Sequence, residues 1–146
     1  MAAFERSAQI VWKGGLADGQ GEVSTGTGAL QFPVSWPARV ESPDGKTSPE
    51  ELVAAAHAAC YAMAFSHTLG TAGHPPEQLD VSAVVSAELG DDGLKVLASE
   101  LTVRGRVPGL DQSEFERLAY DAEHSCPISN ALRGSIEIRV NATLAD

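Results

Sequence analysis

The sequence has few basic residues, few aromatic residues and only two cysteines. Its 146 residues include 10 Lys and Arg against 20 Asp and Glu, a formal net charge of −10. Charge of that sign repels phosphate backbones and anionic lipid headgroups, which excludes nucleic acid and membrane surfaces as default partners. Neither an apolar run of about 18 residues nor an apolar stretch behind a basic start occurs at Met1–Gly14, so we expect no membrane span and no secretory signal. We therefore expect a cytoplasmic protein.

The remaining composition is that of a folded globular chain. Apolar residues make up 43% of the sequence, enough for a core at this length, and residues 1–146 are expected to form a single domain. Aromatic residues contribute only 5%, so small side chains are expected where elements pack closely.

Short strands are predicted at the beginning of the chain. Ser7–Trp12 alternates loosely, and Gly21–Leu30 is rich in Val, Thr and Gly, as strands and their turns are. Phe32–Val40 contains Pro33 and Pro37, which predicts an edge strand or an extended segment, because proline cannot donate to a sheet ladder.

The strongest helix signal begins at Ser48. A hydroxyl at the N-cap, Pro49 at the first helical position and Glu51 at the third are typical of a helix start. The small and apolar residues that follow predict a helix to about Leu69–Gly70, buried on most sides and in need of a covering partner.

The chain as a whole is predicted to be an α+β domain with antiparallel strands and two substantial helices, the second of which lies in its second half. Apolar residues alternate in three predicted strands, and capping residues precede two predicted helices. In chain order these are Leu79–Leu89, a hairpin at Gly90–Gly93, Leu94–Val107, a helix from Asp111 to about His124, a short helix at Pro127 and a strand at Ser135–Leu144.

The two cysteines, Cys60 and Cys126, lie 66 positions apart, so they form no local redox or zinc motif. A structural disulfide is not expected in a reducing compartment. Cys60 lies mid-helix, where a buried thiol is inert unless a cation stabilises its thiolate. Both interpretations of Cys60 remain open at this point. Cys126 precedes Pro127, which predicts a helix N-cap, where the helix dipole favours an anionic sulfur.

Arg39 and Glu50 are the charged residues expected to act on Cys60. Glu51 is needed by the helix cap, which leaves Glu50 free to hold a guanidinium in bidentate fashion. Ten residues of helix, about 15 Å, separate Glu50 from Cys60, so one helix does not readily assemble the cluster. We hypothesise that a second chain donates Arg39 and Glu50 to Cys60, which predicts a homodimer.

Two segments, Thr47–Cys60 and Glu123–Leu132, resemble the signatures of the OsmC/Ohr family of thiol peroxidases. Ala56–Cys60 is more similar to the OsmC branch than to the Ohr branch. The resemblance covers essentially the whole chain. It implies an intertwined homodimer whose antiparallel sheets wrap around long central helices, with active sites at the interface.

The resemblance also implies residue roles. Cys60 would be the peroxidatic thiol, Cys126 the resolving thiol, and Arg39 with Glu50 the activating pair. Organic hydroperoxides and hydrogen peroxide would be substrates, and a dithiol such as a lipoyl group the reductant. No cofactor, metal or haem is expected.

Two alternatives are kept. One is a noncatalytic dimer of the same fold that binds a small ligand or senses redox state. The other is a zinc site in which His57 and His124 join the two cysteines, although their spacing is unusual for zinc and His57 is better placed in a dimer interface.

Overall fold

A computed structural model describes residues 2–145. The chain divides after Leu52 into two compact units. Helices and strands both contribute, so the predicted α+β class is confirmed. In chain order the elements are β1 (Ala8–Lys13), β2 (Gln20–Thr25), β3 (Gln31–Val34), α1 (Trp36–Val40), α2 (Pro49–Thr71), β4 (Gln78–Gly90), β5 (Gly93–Arg106), α3 (Gln112–Ser125), α4 (Pro127–Leu132) and β6 (Glu137–Leu144).

The first unit contains an antiparallel sheet in the order β1-β2-β3. β3 carries Pro33 and lies at the sheet edge, as the proline predicts. The extended segment expected to continue to Val40 is wrong, because α1 replaces its second half. The Ser35 hydroxyl accepts the Ala38 N–H at 3.2 Å, and Pro37 lies in the first helical turn. Proline at that position favours a helix start as readily as an extended chain.

Helix α2 begins at Pro49 as predicted, and the Ser48 hydroxyl accepts the Glu51 N–H at 3.1 Å. Within a single chain α2 is not buried on most sides as predicted, since only 22% of its apolar 18-residue window is buried. By length and composition alone α2 could cross a membrane, but a core helix of a soluble protein passes the same test. One buried stripe recurs every fourth residue: His57, Tyr61, Phe65 and Leu69.

The second unit contains a sheet in the order β4-β5-β6. β4 and β5 form the predicted antiparallel hairpin, whereas β5 and β6 pair in parallel. The expectation of purely antiparallel sheets is therefore wrong for this pair. A connection through α3 and α4 separates β5 from β6, and a crossover of that length permits parallel pairing.

The core of the second unit lies between its sheet, the buried stripe of α2 and the apolar face of α3. Phe65 and Phe115 meet with ring centroids 5.0 Å apart, which joins α2 to α3. The Tyr61 hydroxyl donates to the Ala119 carbonyl at 2.8 Å. Cys126 belongs to the same buried cluster. The packing of α2 on α3 therefore fixes the helix that carries Cys60 against the chain that leads into Cys126.

Candidate active site

The two cysteines meet in the second unit. Their Sγ atoms are 3.3 Å apart, and both thiols are free. Cys60 comes from the middle of α2, and Cys126 from the corner between α3 and α4. Cys60 is half-buried and Cys126 is fully buried. Two sulfurs at this separation can form a disulfide with a small local movement, because a disulfide bond is about 2.05 Å long.

Cys126 occupies the N-cap of α4, as predicted. Its Sγ accepts the Ser129 N–H at 3.5 Å, and its own backbone N–H donates to the Glu123 carbonyl at 3.4 Å. Pro127 starts the helix, so Cys126 becomes the N-cap residue and its sulfur is the capping acceptor. The local sequence therefore directs this thiol toward the start of α4.

Cys60 has a raised pKa. Burial is the largest cause, and the neighbouring Cys126 raises the pKa further, while the backbone of Ile128 acts in the opposite sense. The thiolate is the nucleophilic form of cysteine. The surroundings of Cys60 within the second unit thus favour the protonated thiol, and a nearby positive charge would act in the opposite sense.

Arg39 and Glu50 form a bidentate ion pair in the first unit. Arg39 Nε lies 2.9 and 3.2 Å from the two carboxylate oxygens, and its terminal nitrogen donates to Oε2 at 2.8 Å. The side chains are 32% and 14% exposed, so the guanidinium stays accessible while the carboxylate is largely covered. The Arg39 hydrogen bonds hold the pKa of Glu50 below its ordinary value, although partial burial opposes them. The predicted pairing of these two residues is present.

An apolar groove of about 300 Å³ lies beside the Arg39 guanidinium in the first unit. Two tryptophans and several aliphatic side chains line it, and they include Trp12, Trp36, Ile10, Leu16 and Val34. A guanidinium at the edge of an apolar groove suits a molecule that has one oxygen-rich end and one hydrocarbon end.

His57 is the site-related residue whose surroundings were not predicted. It is fully buried in the second unit, with Nδ1 2.6 Å from Ser99 Oγ and Nε2 2.7 Å from Ser129 Oγ. Burial lowers its pKa, and the charge of Glu123 opposes that shift only in part. The expected interface position is therefore wrong, because His57 links α2 to β5 and α4 inside one chain.

The zinc alternative is not assembled. The serine hydroxyls occupy both ring nitrogens of His57, and His124 Nδ1 lies instead 3.0 Å from the Tyr120 carbonyl. Within residues 2–145, no group of three or more His, Cys, Asp and Glu side chains is placed to hold a metal ion. Neither histidine therefore joins the two sulfurs in a metal-binding group within the described part of the chain.

Comparison with known proteins identifies the family. The family model described as "OsmC-like protein" matches residues 42–141, and peroxiredoxin OsmC of Escherichia coli is 40% identical over 136 residues, which cover 92% of this chain and 94% of that protein. The chain belongs to the OsmC-like family. Organic hydroperoxide resistance protein OhrB of Bacillus subtilis is 25% identical over 96% of this chain and 98% of its own length, so the OsmC branch is favoured.

Solved OsmC-like structures share the fold. The organic hydroperoxide resistance protein OsmC of Legionella pneumophila has a TM-score of 0.79 at 29% identity, and the match covers 98% of this chain and 99% of that one. The B. subtilis OhrB structure has a TM-score of 0.74 at 26% identity, covering 94% of this chain and 98% of that one. The likeness spans both units, so the α+β fold is that of the OsmC-like family.

Proposed function

We propose that this chain is a cysteine-based peroxidase that reduces organic hydroperoxides, with Cys60 and Cys126 as its redox pair. The observation that carries the proposal is the 3.3 Å separation of the two sulfurs. The relatives bear the names peroxiredoxin and organic hydroperoxide resistance protein, which supports a hydroperoxide substrate. The apolar groove beside Arg39 also suits a hydrocarbon-bearing peroxide.

Each sulfur acts once as a nucleophile in the reaction. The Cys60 thiolate attacks one peroxide oxygen, the O–O bond breaks, and the other oxygen leaves as an alcohol after it takes up a proton. Cys60 is then a sulfenic acid. The Cys126 sulfur attacks the Cys60 sulfur, which releases water and leaves a disulfide. A dithiol of the lipoyl type would return both cysteines to thiols by exchange.

Arg39 and Glu50 are proposed as the activating pair, donated by a second chain. The raised pKa of Cys60 calls for a positive group, and Glu50 already holds the Arg39 guanidinium in a fixed orientation. The guanidinium would favour the thiolate and the developing charge on the leaving oxygen. The separation of ten positions along α2 between Glu50 and Cys60 argues against a site built from one chain.

Exposed apolar residues on α2 support the homodimer. Met63 is 69% exposed, two residues from the buried Tyr61 and Phe65 along the helix, and a second copy would cover such a side chain. We further propose that residues 1–146 act as a single domain and that the protein works in the cytoplasm without a metal or haem. A reducing compartment would keep the two free thiols ready for peroxide.

Thiol titration tests the proposal. Treatment with one equivalent of cumene hydroperoxide should remove two free thiols per chain, and dithiothreitol should restore both. Cys126→Ser should lose one thiol only and should accumulate oxidised Cys60. If both thiols survive excess peroxide, the peroxidase proposal is wrong and a noncatalytic ligand-binding or redox-sensing role takes its place.

Subunit mixing tests the shared site. Cys60→Ala chains and Arg39→Ala chains are each expected to be inactive, and refolding them together should restore activity through mixed dimers. Mixing Cys60→Ala with Cys126→Ala chains is the matched control. This mixture should form no disulfide-based activity, because both sulfurs of one site come from the same chain and neither chain carries both. Absence of recovery in the first mixture would show that the site is built within one chain.

A further inference from the structure

A buried carboxylate, Glu123, lies three residues before Cys126. Its side chain is 6% exposed, and Oε1 is 2.9 Å from an Arg133 terminal nitrogen, while Oε2 is 3.1 Å from His124 Nδ1. Among residues 2–145 Oε1 has no hydrogen-bond partner, so its contact with Arg133 is an ion pair. A buried carboxylate needs a charged partner, and Arg133 provides the permanent positive charge.

The same Arg133 nitrogen holds two further oxygens. It lies 3.3 Å from the Glu123 carbonyl and 3.2 Å from Asn130 Oδ1. Asn130 in turn donates from its side-chain nitrogen to the His124 carbonyl at 3.2 Å. The side chains of Arg133 and Asn130 thus connect the far half of α4 back to the last turn of α3.

Cys126 lies inside this connection. It is both the last cap of α3 and the first cap of α4, and Arg133 is the cap at the other end of α4. The Glu123 carbonyl that accepts from Arg133 also accepts the Cys126 N–H. The Arg133 guanidinium therefore contacts the chain on both sides of Cys126: Glu123 in the last turn of α3 and Asn130 in α4.

We infer that Glu123 and Arg133 are positioning residues for the disulfide-forming step, because they hold the corner that places the Cys126 sulfur against Cys60. The inference rests on the proposed peroxidase function. A separation of 3.3 Å falls within the approach distance of about 3–3.5 Å at which reacting atoms are well placed. Displacement of the attacking atom by about 1 Å costs on the order of 100-fold in rate.

Glu123 and Arg133 would act in the second step of the reaction, the formation of the disulfide. The Cys126 sulfur bonds to Cys60 Sγ, the S–O bond of the sulfenic acid breaks, and the hydroxide leaves as water with the Cys126 proton. A second peroxide competes for the same sulfenic acid, oxidises it to a sulfinic acid and leaves as an alcohol. A displaced Cys126 would therefore shift the product from disulfide to sulfinic acid without slowing the first oxidation.

The test measures that partition. Wild type, Arg133→Ala and Glu123→Gln react with increasing cumene hydroperoxide, and mass spectrometry gives the ratio of disulfide to Cys60 sulfinic acid. We expect disulfide formation to slow by about 10- to 100-fold in both variants. The rate of the first oxidation, measured in a Cys126→Ser background, should be unchanged. Arg133→Lys keeps the charge and should give an intermediate partition.

The exposed pair Glu114–Arg117 on α3 supplies the matched control. Glu114→Gln and Arg117→Ala should partition like wild type. Wild-type partition in both Arg133→Ala and Glu123→Gln would overturn the inference. An equal slowing of the first oxidation and of disulfide formation would overturn it as well, because that is the sign of a general structural role. If Arg133→Ala does not fold, Arg133→Lys decides, and a wild-type ratio there overturns the inference. Failure of the wild type to form any disulfide would overturn the proposed function itself.

Discussion

Replacement of His57 by leucine isolates the buried polar link behind the two cysteines. His57 is fully buried, and its ring nitrogens lie 2.6 and 2.7 Å from the hydroxyls of Ser99 and Ser129. Leucine fits a helix and is of similar size, so the main effect of His57→Leu is the loss of both hydrogen bonds. Two hydroxyls would then be left in the interior without this partner.

The expected loss of stability is large. A buried polar group left without a partner costs about 1–3 kcal/mol, so two hydroxyls cost about 2–6 kcal/mol. Domains of this size are stable by about 5–15 kcal/mol, and the variant would lose a substantial share of that free energy. Urea denaturation at neutral pH measures the change.

The triple variant His57→Leu, Ser99→Ala, Ser129→Ala is the decisive companion. Removal of all three polar groups leaves no orphaned hydroxyl, so stability should recover to within about 1–2 kcal/mol of wild type. A His57→Leu variant as stable as wild type would show that the two serine hydroxyls do not depend on His57. A triple variant less stable than His57→Leu would show the same.

The difference in stability between wild type and His57→Leu should also depend on pH. Burial lowers the pKa of His57, so the unfolded chain binds its proton at a higher pH than the folded chain. His57 therefore destabilises the fold as the pH falls through the ordinary histidine range. The advantage of wild type over His57→Leu should shrink on acidification through that range, and denaturation at a series of pH values measures it.

Two further predictions concern the Arg39–Glu50 pair and the packing at Gly105. Because Arg39 lowers the pKa of Glu50, the pair stabilises the fold above the ordinary glutamate pKa and loses that effect as pH falls through the lower, folded value. The stability difference between wild type and Glu50→Gln, from urea denaturation, should vanish in acid, and a constant difference would contradict this. A Cβ at Gly105 would lie 2.6 Å from the Phe115 ring, so Gly105→Ala should cost about 1–3 kcal/mol. Gly70→Ala, with open space around it, should not destabilise, and equal thermal shifts in the two would contradict the packing argument.

Local chemistry made several features predictable. The start of α2 follows from a serine cap and a proline within a few residues, and the Cys126 cap follows from Pro127 in the same way. The Glu51 carboxylate does not make the usual capping-box contact with the N-cap N–H. It accepts instead from the Thr47 hydroxyl at 2.8 Å. These contacts lie within four residues, where the sequence itself brings the groups together.

Long-range contacts account for what was not predicted. The partners of His57 lie 42 and 72 positions away, and serine carries no signal that distinguishes Ser99 from an exposed serine. The charge of Arg133 could be read from the sequence, but its pairing with Glu123 depends on how α4 folds back on α3. The meeting of the two cysteines was expected on family resemblance, since a sequence separation of 66 positions gives no distance between them.

In the proposed reaction, peroxide joins Cys60 to Cys126 within one chain. Peptide mapping under non-reducing conditions, after one equivalent of cumene hydroperoxide and alkylation of remaining thiols, tests it directly. We expect one crosslinked species that contains the Cys60 and Cys126 peptides, in a chain that migrates as a monomer under denaturing conditions. Recovery of both peptides separately, with both cysteines alkylated, would contradict it.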